Sequence, residues 1–157
     1  MKVGVIWHEA VASEFTSKDI QKLLAVAAAS VDSITGTVEI GAVGAARMRA
    51  LNRHYRGIDG PTDVLSFAWN ETAPPTPGTQ TLLAQIYLCP PYIRRQAKRF
   101  AVSYREEFVR MLFHGLLHSV GYDHQTKKQA AEMFPLQEKL VARSAQLKIH
   151  LPLYENS

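Results

Sequence analysis

Three histidines stand together in the last third of the chain, in the string HGLLHSVGYDH that runs from His114 to His124. His114 and His118 are four residues apart, a spacing that puts two side chains one turn above the other on one helix face. Gly121 follows, and glycine commonly ends a helix by adopting a left-handed conformation. The chain can then turn back and carry His124 over the last helical turn. Three imidazoles brought to one point can cap a tetrahedral metal. Three neutral nitrogen ligands with a fourth position open are the donor set of a catalytic zinc site, whereas structural zinc sites take four protein ligands and usually cysteine. The single cysteine, Cys89, lies well upstream. An ion on neutral ligands keeps its full charge, lowers the pKa of bound water to about 7 and polarises a phosphoryl or carbonyl oxygen. The alternative is that these are satisfied core histidines. That suits a lone histidine on an apolar face better than three at this spacing with a glycine at the helix break.

What the string lacks also bears on the chemistry. Zinc peptidases of the H-E-x-x-H-x-x-G-x-x-H type place their histidines at the same three positions and carry a glutamate, the general base, directly after the first. Here that position is Gly115. A peptidase on this frame would have to recruit its base from elsewhere. Glu107 and Arg110 fall on nearly the same helix face as His114 and His118, where they could contact a ligand; partial exposure near the helix start is the expected reading. Asp123, next to His124, reads either as a partner holding a ligand imidazole or as a cap for the following helix.

The elements that must position these residues can be read from hydrophobic period and punctuation. Lys2 to Trp7 alternates and is β-rich. Thr16 to Val31 has helical spacing, with Thr16 and Asp19 as a capping box. Gly36 to Val43 reads as a strand and Ala45 to Tyr55 as a helix. Asp63 to Trp69 and Leu82 to Cys89 read as strands joined by the Pro-rich stretch Asn70 to Thr81. Pro90 and Pro91 open a helix to about Phe100, since proline is tolerated in a first turn. Ser103 with Glu106 forms a capping box that opens the histidine helix, which runs to about Val120 and is apolar almost all round, the mark of a buried helix. Thr126 with Gln129 opens a last amphipathic helix to about Lys148. Strands early and helices late predict an α+β fold: one domain over residues 1–157, a small mixed sheet with packed helices, and a central buried helix carrying the histidines.

Composition narrows the class. At 157 residues, 46% hydrophobic and 20% charged, the chain resembles a globular protein with a real core rather than a disordered one. No apolar stretch approaches the ~20 residues needed to span a bilayer, and the N-terminus lacks the apolar centre and cleavage site of a signal peptide. The expected compartment is the cytoplasm, with no membrane partner. One cysteine fits a reducing compartment and excludes an internal disulfide. The net charge of +4 is compatible with a nucleic-acid partner. Its placement says more, with Arg47, Arg49, Arg53, His54 and Arg56 in one segment and Arg94, Arg95, Lys98 and Arg99 in another. Each cluster taken singly also reads as a solvated helix face.

HGLLHSVGYDH resembles the signature of the YbeY family of bacterial endoribonucleases. A second block agrees: Leu51, Asn52, Tyr55, Arg56 and Asp59, then PTDVLSF from Pro61 to Phe67. A weaker third holds Met133-Phe134 and Gln137-Glu138. The resemblance spans roughly residues 50 to 140. It implies a single-strand-specific, zinc-dependent endoribonuclease that matures the 3′ end of 16S rRNA and acts in late ribosome quality control, with the small ribosomal subunit or associated factors as partners. By the same resemblance His114, His118 and His124 bind one Zn²⁺, and Arg56 is the functionally important arginine, a fork-shaped donor suited to phosphate. A structural salt bridge from Arg56 to Asp59 or Asp63 is the competing reading. Two positions depart from the family pattern: Ala84-Gln85 stand where it has Gly-Asp, and Ala68 where it has Pro. The rival functions are a zinc peptidase with a non-standard base and a non-catalytic assembly factor that uses metal for stability.

Overall fold

A computed structural model describes residues 3–68, 82–147 and 149. The elements run β1 (Val3–Glu9), α1 (Ser17–Ser30), β2 (Gly36–Ala42), α2 (Ala45–Arg56), β3 (Val64–Ala68), β4 (Leu82–Leu88), α3 (Pro90–Arg99), α4 (Tyr104–Ser119) and α5 (Lys127–Ser144). The expected α+β arrangement is present. Its sheet has the order β1-β2-β4-β3, with β1, β2 and β4 parallel and β3 antiparallel to β4. The crossover between parallel neighbours β1 and β2 is made by α1, as parallel pairing requires. β3 is therefore an edge strand. The Pro-rich stretch from Asn70 to Thr81, with Trp69 and Lys148, lies outside the described residues.

The capping box read at Thr16 forms, and a second forms at Thr126. Thr16 accepts from the Asp19 N–H and Asp19 answers to the Thr16 N–H; Thr126 and Gln129 do the same for α5. Ser103 accepts from the Glu106 N–H at the start of α4. α5 ends at Ser144, short of the predicted Lys148. Gln146 N–H reaches back three residues to Arg143 O and Leu147 N–H to Ser144 O, so the chain leaves the helix through a tighter turn.

Strand alternation divides the sheet into two faces. One face carries Val38, Ile40, Ile86 and Leu88, with Val64 from β3, and is covered by α1 and α4, on which α5 packs in turn. α4 is the centre of this core: Phe108, Leu112, Phe113, Leu116 and Leu117 have no exposure, and Phe108 stacks on Phe15 at 4.5 Å. The other face is covered at one end by α2, where Met48 and Leu51 pack on Leu65, Val43 and Cys89, with Phe67 and Tyr87 beside them. Cys89 is fully buried there, and burial pushes its thiol above the usual value.

α4 approaches the sheet closely at Gly115. A Cβ on that residue would stand 2.9 Å from Val64 Cγ2 and 3.2 Å from Ile86 Cγ2. Gly115 is thus a packing requirement between helix and sheet, and a side chain as large as glutamate has no room at that position.

Candidate metal centre

α4 delivers His114 and His118 on one face at its C-terminal end, with their Nε2 atoms 3.1 Å apart. The turn that follows is closed by Gly121 N–H to His118 O and Tyr122 N–H to Leu117 O. Gly121 has φ +102°, and nothing lies within 4 Å of where its Cβ would be. The requirement for glycine there is the backbone conformation, not space. The reversal brings the His124 ring to 5.3 Å from His114 and 5.0 Å from His118, centroid to centroid. One ring nitrogen from each histidine lies within 4.8 Å of the others, close enough to hold a metal ion. Among the described residues no further His, Cys, Asp or Glu joins the cluster.

The donor set fits a tetrahedral ion. Two nitrogens bound at ~2.05 Å with tetrahedral angles lie about 3.3 Å apart, near the 3.1 Å found between His114 and His118. Metal ligation also needs neutral rings in the correct tautomer. His114 Nδ1 lies 2.8 Å from Gln137 Oε1. An amide oxygen only accepts, so the His114 proton sits on Nδ1 and leaves Nε2 free toward the cluster. Burial, together with the neighbouring His114 and His124, holds the His118 pKa below its ordinary value, so its neutral form is favoured.

Gln137 is itself held. Its Nε2 donates to Glu138 Oε2 at 3.1 Å. Glu138 receives Arg110 through Nε and Nη2, both at 2.9 Å. Arg110 Nη1 donates to Glu107 at 2.9 Å, and Glu107 accepts from Gln96 Nε2 at 2.6 Å. These contacts hold Glu138 below the usual carboxylate range and Arg110 above its own. The expectation of partial exposure near the helix start holds for Arg110 and is corrected for Glu107. Glu107 is 2% exposed, and Arg110 links it to Glu138 across the α4–α5 contact. Phe134, one turn before Glu138, stacks on both His124 (5.5 Å) and His114 (6.3 Å). Sequence reasoning quoted Phe134 and Gln137 only within a motif and gave neither a role. Their position beside a histidine on another helix is a long-range contact that helical period does not carry.

The cluster opens onto a cleft of about 420 Å³, lined among others by Arg56, Asp63, Ser66, Asp123 and Gln125. Arg56 is the last residue of α2, which Gly57 ends in the left-handed region at φ +70°. Asn52 Nδ2 donates to Gly60 O at 2.8 Å and fixes the following loop against the helix. The salt bridge considered for Arg56 does not form. Asp59 is taken by Arg49 in a two-pronged pair at 2.7 and 2.9 Å, and Asp63 accepts from Thr62 Oγ1 and the Val64 N–H. Arg56 is exposed and has no ion pair or side-chain hydrogen bond among the described residues. Of the two readings of Asp123, the cap falls to Thr126, while Asp123 accepts the N–H of His124 at 2.8 Å.

Gln85, one of the departures, points away from this cleft. It lies on the sheet face opposite Ile86 and donates to Glu39 at 3.4 Å. The metal cluster and Arg56 owe nothing to it.

An α+β fold with three convergent histidines, one of them steadied by an amide from a neighbouring helix, defines a candidate mononuclear metalloprotein. Comparison with known proteins makes this specific. A family model described as endoribonuclease YbeY matches residues 6–145, and the chain belongs to that family. It is 41% identical to endoribonuclease YbeY of Moorella thermoacetica over 74% of this chain and 79% of that one. It is 36% identical to the Brevibacillus brevis protein of the same name over 87% and 92%. Among solved structures, TM1509 from Thermotoga maritima aligns over 90% of this chain and 88% of its own, with TM-score 0.59 and 27% identity.

Proposed function

We propose that this chain is a zinc-dependent endoribonuclease that cuts single-stranded RNA, with His114, His118 and His124 as metal ligands and Arg56 as the residue that binds the phosphate at the reacting centre. The observation that carries the reading is a juxtaposition. Three histidine nitrogens within 4.8 Å of one another share a cleft with an arginine that no described residue pairs. A bound divalent ion would supply Lewis acidity toward a phosphoryl oxygen and an acidified water. The chain supplies the rest. Gln137 keeps His114 in the tautomer that presents Nε2, and Phe134 covers two of the imidazoles with an apolar plate. Arg56, unpaired among the described residues, offers its planar fork to a phosphodiester and to the charge that builds on it during reaction. The names of the relatives support RNA as the substrate. Among RNAs we propose the 3′ end of 16S rRNA, handled in the cytoplasm with the small ribosomal subunit, and a role in late ribosome quality control.

The close approach of Gly115 to Val64 weighs against the peptidase reading, because the base of that mechanism has no room where the motif would put it. The test is cleavage of a single-stranded 16S 3′-end RNA by zinc-loaded protein, with and without chelator, beside His118→Ala. Cutting that a chelator stops, and that a still-folded His118→Ala lacks, supports the proposal. A folded, zinc-loaded protein that cuts no single strand overturns it.

A further inference from the structure

Tyr55 stands beside the metal cleft with 57% of its surface exposed, an unusual state for a large aromatic side chain. Its ring is nonetheless held. Phe67 lies against it at 4.6 Å and the His54 ring meets it edge-on at 4.6 Å, while Phe67 continues to Tyr87 at 6.2 Å. The row runs from solvent into the α2–sheet core, where Phe67 and Tyr87 pack beside Leu65 and Cys89. One side of the Tyr55 ring is therefore fixed by packing and the other is presented to solvent. Fixing an aromatic group before it binds removes part of the ordering cost of recognition.

The charges around Tyr55 are sorted. Along one face of α2, about 100° round the helix from Tyr55, Arg49 is neutralised by Asp59, whereas Arg53 and Arg56 are exposed and have no ion pair among the described residues. Tyr55 sits between those two cations in sequence and directly precedes the arginine that lines the cleft. β3 has the cleft on one face, through Ser66, and the aromatic row on the other, through Phe67. It is also the sheet's edge. The end of α2 thus joins the cleft, through Arg56, to the aromatic row, through Tyr55.

We propose that Tyr55 is a stacking platform for a nucleobase flanking the scissile phosphate, which Arg56 holds in the cleft. This deepens the endoribonuclease reading and rests on it. Stacking on an aromatic ring is tolerant of base identity, because every base has a π-face. It also requires a base free of its duplex partner, so the platform gives a physical origin for single-strand selectivity.

The test uses zinc-loaded protein and single-stranded RNA with a cleavage-resistant backbone, so that binding is read without cleavage. Fluorescence anisotropy with a labelled twelve-nucleotide single-stranded RNA compares wild type, Tyr55→Phe and Tyr55→Leu. Stacking of one base predicts that Tyr55→Leu binds about tenfold more weakly, that Tyr55→Phe binds within about twofold of wild type, and that the salt dependence is unchanged because no phosphate contact is lost. A walk of one abasic nucleotide along the same RNA gives a second reading that needs no variant. One position should weaken wild-type binding, and that loss should vanish in Tyr55→Leu. A flat abasic profile, wild-type affinity in Tyr55→Leu, or a loss in Tyr55→Phe equal to that in Tyr55→Leu overturns the platform. Wild type that binds no single strand at all overturns the endoribonuclease reading itself.

Discussion

Gln137 and Arg56 are both polar, and their surroundings ask opposite things of them. Gln137 is 4% exposed, with its oxygen on His114 and its nitrogen on Glu138. Gln137→Leu removes the acceptor for His114 Nδ1–H and frees the ring to turn. Loss of such a partner typically costs a metal site 10–100-fold in affinity, about the size expected here. Competition against a chromophoric zinc chelator measures it. Gln137→Glu, which keeps an acceptor, should recover most of the loss, and equal affinity in all three proteins would mean that Gln137 does not position His114. Arg56 has nothing to lose inside the protein. Arg56→Ala should leave stability within about 0.5 kcal/mol and lower kcat for RNA cleavage about 100-fold or more. Arg56→Lys should restore little of it, because an ammonium lacks the fork. Thermal melts beside single-turnover cleavage separate the two effects. A large drop in melting temperature for Arg56→Ala would point to a structural role instead.

At the scale of elements, the contact between α4 and the edge of the sheet decides where the histidines stand. Gly115→Ala places a Cβ 2.9 Å from Val64 Cγ2, so α4 or β3 must shift. Overpacking of this kind costs about 1–3 kcal/mol, and for a chain of this size each kcal/mol lowers Tm by about 2–4 °C. Val64→Ala in the same chain should return part of that loss, and a double-mutant cycle with no coupling between the two positions would contradict the contact. How much of this was legible in the sequence depends on how local the signal is. The capping box at Thr16, the helix start at Thr126, the prolines opening α3 and the glycine break at Gly121 are short-range chemistry, and each appears where it was read. The face shared by Glu107, Arg110, His114 and His118 follows from helical period alone. The burial of Glu107 does not, because it depends on Gln96 of α3 and, through Arg110, on Glu138 of α5. The insertion of β4 between β2 and β3 was equally out of reach. Nothing in a strand's own residues names its neighbours, and the sequence order would have paired β2 with β3. Gly115 was read only as a missing base, since the side chains it would strike belong to β3 and β4.

For the whole molecule, protonation links the site to stability. His118 has its folded pKa below the ordinary 6.5, mainly through burial. Between the two values the unfolded chain binds the proton and the folded one does not, so stability rises with pH across that window and is flat above it. Glu138, held low by Arg110, adds a second loss as pH falls below the ordinary carboxylate value of 4.5 toward its folded value. Urea midpoints of metal-free protein should therefore be level from about pH 8 to 7 and fall first below about 6.5. A midpoint that rises on acidification through that range would contradict the burial of a neutral His118. Cys89 gives the molecule one more readable property. It is the sole thiol in the chain, fully buried beneath Met48 and Leu51 of α2, with its thiolate form disfavoured. A thiol reagent can reach it when α2 lifts from the sheet, so labelling reports such openings. The helix that opens is the one that carries Tyr55 and Arg56. The labelling rate of unmodified protein is thus a clock for the undocking of the RNA-facing helix, and a single strand lying across that helix should slow it.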